Sequence, residues 1–187
     1  MSKILIGLAG KRRVGKSTVA RTLCALSDTT QMSFAGPIKK MVSALGVEDE
    51  YIYGDKKEEV IPNIGVTGRF LLQSLGTQWG RDMVHKDLWT NALFQSSDYL
   101  LAMKHRGVVI DDVRFPSEVE AIRAHGGIVA RVQWGNEITP VVADEFDAHP
   151  SEAPLPDIDY IIYNSLDIPA VCVQLSKMLV DLSHKHC

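Results

Sequence analysis

Cysteine is scarce in this 187-residue chain: Cys24, Cys172 and Cys187 are the only three, scattered and odd in number. Such a set forms neither a disulfide framework nor a spaced zinc site. Long apolar runs are missing too, since none approaches the ~20 residues of a membrane helix. The opening Ser2-Lys3-Ile4 is too abrupt for a signal peptide. A basic excess is also absent: 20 Lys and Arg face 23 Asp and Glu, for a formal net charge of −3. Proteins that grip a nucleic-acid backbone rely on such an excess to neutralise phosphates. These absences predict a cytoplasmic protein with reduced thiols that binds neither a membrane nor a nucleic-acid polymer. No internal repeat or low-complexity stretch is visible. Hydrophobic residues at 45 % and charged residues at 23 % are the balance of an ordinary globular domain.

What the chain does contain is an alternation of strand and helix. Residues 3–9 (KILIGLA) are nearly continuously apolar, as in a strand buried on both faces. Val19, Leu23 and Leu26 then recur at helical spacing over 16–26. A short strand is expected at 31–34, a short helix at 37–45 and a mostly charged loop over 47–66. Helical stretches at 68–83 and 87–104 precede a second buried strand, 107–112 (GVVIDD). Pro116 opens the next helix and the Gly126-Gly127 pair ends it. A strand at 128–134, a loop at 135–157, a strand at 160–163 and a helix at 168–183 complete the pattern. The alternation predicts an α/β fold, a parallel doubly wound sheet with helices on both faces. In such sheets ligands bind beyond the carboxyl ends of the strands.

Gly10-Lys11-Arg12-Arg13-Val14-Gly15-Lys16-Ser17 matches G-x-x-x-x-G-K-[ST] in full, between a buried strand and an amphipathic helix. The glycines let the backbone curl so that its N–H groups converge on phosphate oxygens, and the following helix adds its positive end. Lys16 is expected on the outer phosphates and the Ser17 hydroxyl on Mg²⁺, with Thr18 in the same ATP-binding set. No Asn/Thr-Lys-x-Asp string exists for reading guanine, and Asp112 is followed by Val113-Arg114-Phe115, not by x-x-Gly. A GTPase is therefore not expected, and a motor or helicase needs more chain. What remains is a kinase of a small metabolite.

The acceptor side is read from the helix around 69–80. At ~100° per residue, Leu71, Leu72, Leu75 and Trp79 share one side, taken as core, while Arg69, Gln73, Gly76 and Gly80 share the other. Each glycine costs a helix about 1 kcal/mol against alanine, so a solvated face seldom carries two. One reading makes this face a flat shelf for a planar anion, with Arg69 on a phosphate through two hydrogen bonds and Gln73 on a base edge. The other makes the glycines a device for close helix packing. Asp111 and Asp112 close the strand 107–112. Asp112 is expected to organise Mg²⁺, partly through water, and Arg114 to bind acceptor phosphate; capping of the following helix is the structural alternative.

Residues 67–82 (TGRFLLQSLGTQWGRD) resemble the R-x-L-L-Q-x-L-G-T-x-W-G-R signature of bacteriophage deoxynucleoside monophosphate kinases. Asp112-Val113-Arg114-Phe115-Pro116-Ser117-Glu118 resembles that family's D-V-R-F-P-N-E, and His149-Pro150-Ser151-Glu152 its H-x-S-E. The order of motifs also matches, through to residues 159–164 (DYIIYN). The resemblance implies a P-loop kinase fold: one domain over 1–187, with a five-stranded parallel sheet in a core of 1–34 and 107–187. It also implies an acceptor-binding insertion at 35–106, a lid at 135–157, and transfer from Mg-ATP to a deoxynucleoside monophosphate. Arg69, Gln73, Trp79 and Arg81 are then expected at the acceptor, Asp112 and Arg114 beside the transferring phosphate. Residues 33–39 (SFAGPIK) are similar to the family's first acceptor-site helix, which adds Phe34 and Lys39.

One departure stands out. Related enzymes bring arginines down from the lid, yet residues 135–157 contain no Lys or Arg, and where Arg-Pro-Gly is usual this chain has Gln133-Trp134-Gly135. Arg131 is the expected catalytic cation, and Trp134 is expected to stack on the adenine of ATP. A related kinase of dephospho-coenzyme A or phosphomevalonate, and a nucleotide-dependent binding module without turnover, are the competing readings. A monomer or homodimer is expected, in the host cytoplasm if the chain is phage-encoded.

Overall fold

The computed structural model describes residues 3–135, 155, 157–165 and 167–185. The motif His149-Pro150-Ser151-Glu152 and most of the expected lid lie outside the described residues. Five strands, β1 (Ile4–Ala9), β2 (Thr30–Met32), β3 (Gly107–Val113), β4 (Ile128–Trp134) and β5 (Tyr160–Asn164), form one sheet in the order β2-β3-β1-β4-β5. Every pairing is parallel. The helices are α1 (Lys16–Ser27), α2 (Gly36–Ala44), α3 (Asp49–Ile52), α4 (Gly68–Gln73), α5 (Leu88–Phe94), α6 (Ser97–Lys104), α7 (Pro116–Ala124) and α8 (Ile168–Lys185).

The chain divides into two compact units, residues 34–96 and the remainder. In the remainder, β1 is apolar at every position because both its faces are covered. Ile6 and Leu8 pack with Val19 and Leu23 of α1, Val109, Val132 and Ile162 of the sheet, and Leu175 and Met178 of α8. On the other face Gly7 leaves room for Ile122 of α7 and for Val113. Helices thus flank the sheet on both sides, in three layers. The expected insertion of 35–106 closes earlier, at Ser96. The physical reason is α6, which packs on β3, with Tyr99 edge-on to His125 at 6.3 Å between ring centroids.

The regular strand pattern breaks at one place. Gly7 lies opposite Ile110, but Ala9 lies opposite Val113, so β3 carries one extra residue at the two aspartates. Val109 faces α1 and α8, whereas Val113, four residues on, faces α7. Bulges of this kind re-aim side chains at functional sheet ends.

In the 34–96 unit, Val42, Val47, Ile52 and Ile61 form the core, with Leu71, Leu72 and Leu75 packed on it. The expected loop at 47–66 contains α3 and a 3₁₀ turn over Asp55–Glu58. Its anchors Val47, Ile52 and Ile61 are too sparse to give a periodic signal. The expected helix at 87–104 is two helices: the Ser96 N–H (3.0 Å) and hydroxyl (2.7 Å) both donate to Leu93 O and end α5. The expected helix at 68–83 is α-helical only to Gln73. From Ser74 to Val84 it is a π-helix, closed by His85 N–H on Gly80 O at 3.0 Å, five residues apart.

Candidate active site

β1 ends at Ala9, between Val113 of β3 and Arg131 of β4, and the glycine-rich loop starts there. Gly10 has φ 142° and Gly15 φ 83°, backbone states that side-chain-bearing residues rarely hold. Space forbids a side chain as well: a Cβ on Gly10 would strike Val132 O, and one on Gly15 the Asn164 amide. Lys16 Nζ donates to Gly10 O and Lys11 O at 2.6 Å each, which curls the loop around the ammonium. α1 opens at Lys16 after Gly15, an N-cap residue with no side chain, and has no acid in its first turn. The positive end of a helix, next to a lysine, suits a phosphate chain. Lys11, Arg12, Arg13 and Ser17 are exposed, while Val14 and Thr18 are half-buried.

The neighbouring strand ends supply further groups. At the β3 bulge, Gln31 Nε2 donates to Asp111 Oδ2 at 2.6 Å. Asp111 also acts across α1: burial, foremost, and the Asp111 charge push the Cys24 thiol up from its usual range, against a hydrogen bond from Thr29. Asp112 is half-buried and Arg114 exposed. Glu118, buried in α7, accepts the N–H groups of Arg114 (2.6 Å) and Phe115 (3.1 Å). It holds the backbone of the Asp112–Arg114 turn and caps its own helix, the task the sequence offered as the structural alternative for the aspartates. Glu at the third helical position is a signal that was available. On β4, Arg131 Nη2 donates to Leu155 O at 2.8 Å, and Trp134 is 39 % exposed. Asn164, the last residue of β5, is buried and donates to Val14 O at 2.9 Å. The sequence singled out Asn164 only as part of a segment. Lys16, Asp112, Arg114 and Trp134 therefore lie at or just past the carboxyl ends of β1, β3 and β4, while Arg131, in the middle of β4, is level with the end of β1.

Apart from Arg114, the acceptor candidates lie in the 34–96 unit, and several differ from expectation. Gly76 and Gly80 are buried, not a solvent-facing shelf. Trp89 of α5 packs on them: its Nε1 donates to Gly76 O at 2.7 Å, and a Cβ on Gly80 would fall on its indole. Close helix packing is thus their role. Trp79, expected on the core side, is 38 % exposed and tilted against Trp89 at 6.0 Å. A π-helix advances fewer degrees per residue than an α-helix, which rotates positions beyond Gln73 away from the 3.6-period wheel. Phe34, expected at the acceptor, is buried and edge-on to Phe94 at 6.1 Å between ring centroids. Gln73 is exposed. Arg69 Nε donates to Glu58, and Lys39 Nζ lies 5.2 Å from the centre of the Tyr53 ring. Arg81 Nη1 donates to Lys86 O at 3.2 Å. Nearby, the Glu50 carboxylate holds the Lys56 ammonium above its usual range.

A profile of the deoxynucleotide monophosphate kinases matches residues 48–173 of this chain. The chain belongs to that family. A protein of Acanthamoeba polyphaga mimivirus named as a deoxynucleotide monophosphate kinase is 33 % identical, across 88 % of this chain and 90 % of that one. The deoxynucleoside-5′-monophosphate kinase of Escherichia phage T5 is 25 % identical, across 82 % and 85 %. A solved dephospho-coenzyme A kinase from Campylobacter jejuni is similar at 15 % identity and TM-score 0.49, covering 94 % of this chain and 95 % of its own. That likeness is too distant to carry an argument. The kinase is a phosphotransferase of deoxynucleoside monophosphates. No helix among its described residues is long and apolar enough to cross a membrane.

Proposed function

We propose that the larger unit takes Mg-ATP on the loop 10–18 and that the 34–96 unit takes the deoxynucleoside monophosphate. Phosphoryl transfer asks little covalent chemistry of a protein, so the rate comes from positioning and from charges aimed at the transferring group. Lys16 and the first N–H groups of α1 bind the β- and γ-phosphates. Arg114 and Arg131 oppose the charge that develops during transfer, work the lysine-free and arginine-free stretch 135–157 leaves to other elements. Trp134 offers its exposed ring to adenine. Ser17 and Asp112 would hold Mg²⁺, partly through water. Their hard oxygens suit an ion that keeps several waters and takes other ligands from phosphates. When bound, Mg²⁺ would neutralise charge on the phosphates during transfer.

On the acceptor side, Arg69 meets the monophosphate through the guanidinium edge opposite Nε, which Glu58 already fixes. Lys39 adds a second cation, Gln73 reads the base edge, and Trp79 and Arg81 flank it. The kinase acts on free nucleotides in the cytoplasm, the host's if it is phage-encoded, as a monomer or homodimer. The observation that carries this reading is the loop itself: two positive-φ glycines and a lysine folded onto its carbonyls at the positive end of α1. The test is coupled ADP release with the four deoxynucleoside monophosphates, dephospho-coenzyme A and phosphomevalonate as acceptors. ADP is expected with deoxynucleotides alone. Release with only the other acceptors, or with none, overturns the proposal.

A further inference from the structure

Asn164 stands at an unusual post. It is the last residue of β5, 2 % exposed, and reaches across 150 residues of sequence to donate its side-chain N–H to Val14 O at 2.9 Å. Val14 is in the middle of the phosphate loop. The orientation of the amide is fixed by chemistry, since a carbonyl oxygen only accepts and the atom facing it must be Nδ2. A polar side chain buried at a sheet end is costly unless its donors are satisfied. Here the donor is satisfied by a loop carbonyl.

The mount beneath Asn164 is held from both sides. Gln174 of α8 grips the preceding residue, accepting from Tyr163 N–H at 2.9 Å and donating to Tyr163 O at 3.0 Å. Asn164 O itself accepts from Gly135 N–H at 3.2 Å, which ties it to the end of β4. Asn164 is thus a fixed post, and the loop is what it steadies.

The consequence follows from the planar, trans peptide unit. The C=O of Val14 and the N–H of Gly15 belong to one plane and point in opposite directions. Holding Val14 O toward Asn164 turns the Gly15 N–H the other way, away from Asn164. Gly15 in turn has no room for a Cβ because the Asn164 amide occupies that space. We infer that Asn164 is a positioning residue for ATP: by gripping Val14 O it presets the Gly15 N–H toward the phosphates. The inference rests on the reading of this loop as the ATP site and deepens it.

The test is steady-state kinetics with ATP and deoxynucleotide varied separately, on the full chain, with thermal melting alongside. Asn164→Leu keeps the bulk and removes the donor; the KM for ATP should rise about tenfold, the worth of one buried hydrogen bond, with the deoxynucleotide KM unchanged. Asn164→Asp should raise it further, because a carboxylate has no donor and repels the triphosphate. Asn164→Ser keeps a shorter donor and should show the same split at smaller size with the melting temperature held, which covers the case of a larger variant that fails to fold. An unchanged ATP KM in the Ser and Leu variants overturns the inference, as does an equal rise in both KM values. Failure of the underlying reading looks different: Lys16→Ala would then keep wild-type turnover. If only the present inference fails, Lys16→Ala is inactive and the Asn164 variants are normal.

Discussion

The phosphate loop and the segment 68–84 are both glycine-punctuated, both sit at a helix, and both carry cations. In the loop the glycines serve the backbone: Gly10 and Gly15 hold positive φ. In the segment 68–84 they serve packing: Gly76 and Gly80 make way for the Trp89 indole. The difference teaches that a glycine is legible when its motif dictates the backbone, and ambiguous when its meaning depends on what packs against it.

The comparison can be broken or sharpened at either end. Lys16→Ala should lower phosphoryl transfer by about a hundred- to a thousandfold, the cost of losing one preorganised donor or more, with the melting temperature kept. Coupled ADP release and melting curves check it. Arg131→Ala should lower kcat by about a hundredfold; a wild-type kcat would leave Arg131 as the tie to Leu155 O. Arg69→Ala should raise the deoxynucleotide KM about tenfold, as expected for a lost hydrogen bond to a charged group, and leave the ATP KM alone.

Stability effects follow. Gly80→Ala should cost about 1–3 kcal/mol through overpacking against Trp89, measured by urea unfolding. Were Gly80 a ligand shelf, the substitution would spare stability and raise KM. Smallest is Thr90→Val: the Thr90 hydroxyl of α5 is buried with no hydrogen-bond partner among the described residues, so removing it should stabilise by about 1 kcal/mol in the same unfolding assay.

Much of the larger unit was legible from sequence. Continuous apolarity in KILIGLA and GVVIDD marks strands covered on both faces, and the full phosphate-loop string fixes a strand–turn–helix. The β3 bulge was not legible, because GVVIDD gives no sign of one residue too many. Nor was the grip of Asn164 on Val14, a contact between residues 150 apart in sequence. In the 34–96 unit the leucines Leu71, Leu72 and Leu75 fell on the core side as read, since they precede or barely enter the π-helix. Trp79, deeper in it, did not. Helical wheels assume 3.6 residues per turn, and composition does not announce a change of period.

The account assigns ATP to the loop of one unit and the deoxynucleotide to the other, and equilibrium binding tests that division most directly. ATP and each of the four deoxynucleoside monophosphates are titrated separately into the wild-type kinase, Lys16→Ala and Arg69→Ala. The account predicts that Lys16→Ala loses ATP and keeps its deoxynucleotide, while Arg69→Ala does the reverse. Loss of both ligands in either variant, or of neither in both, would contradict it.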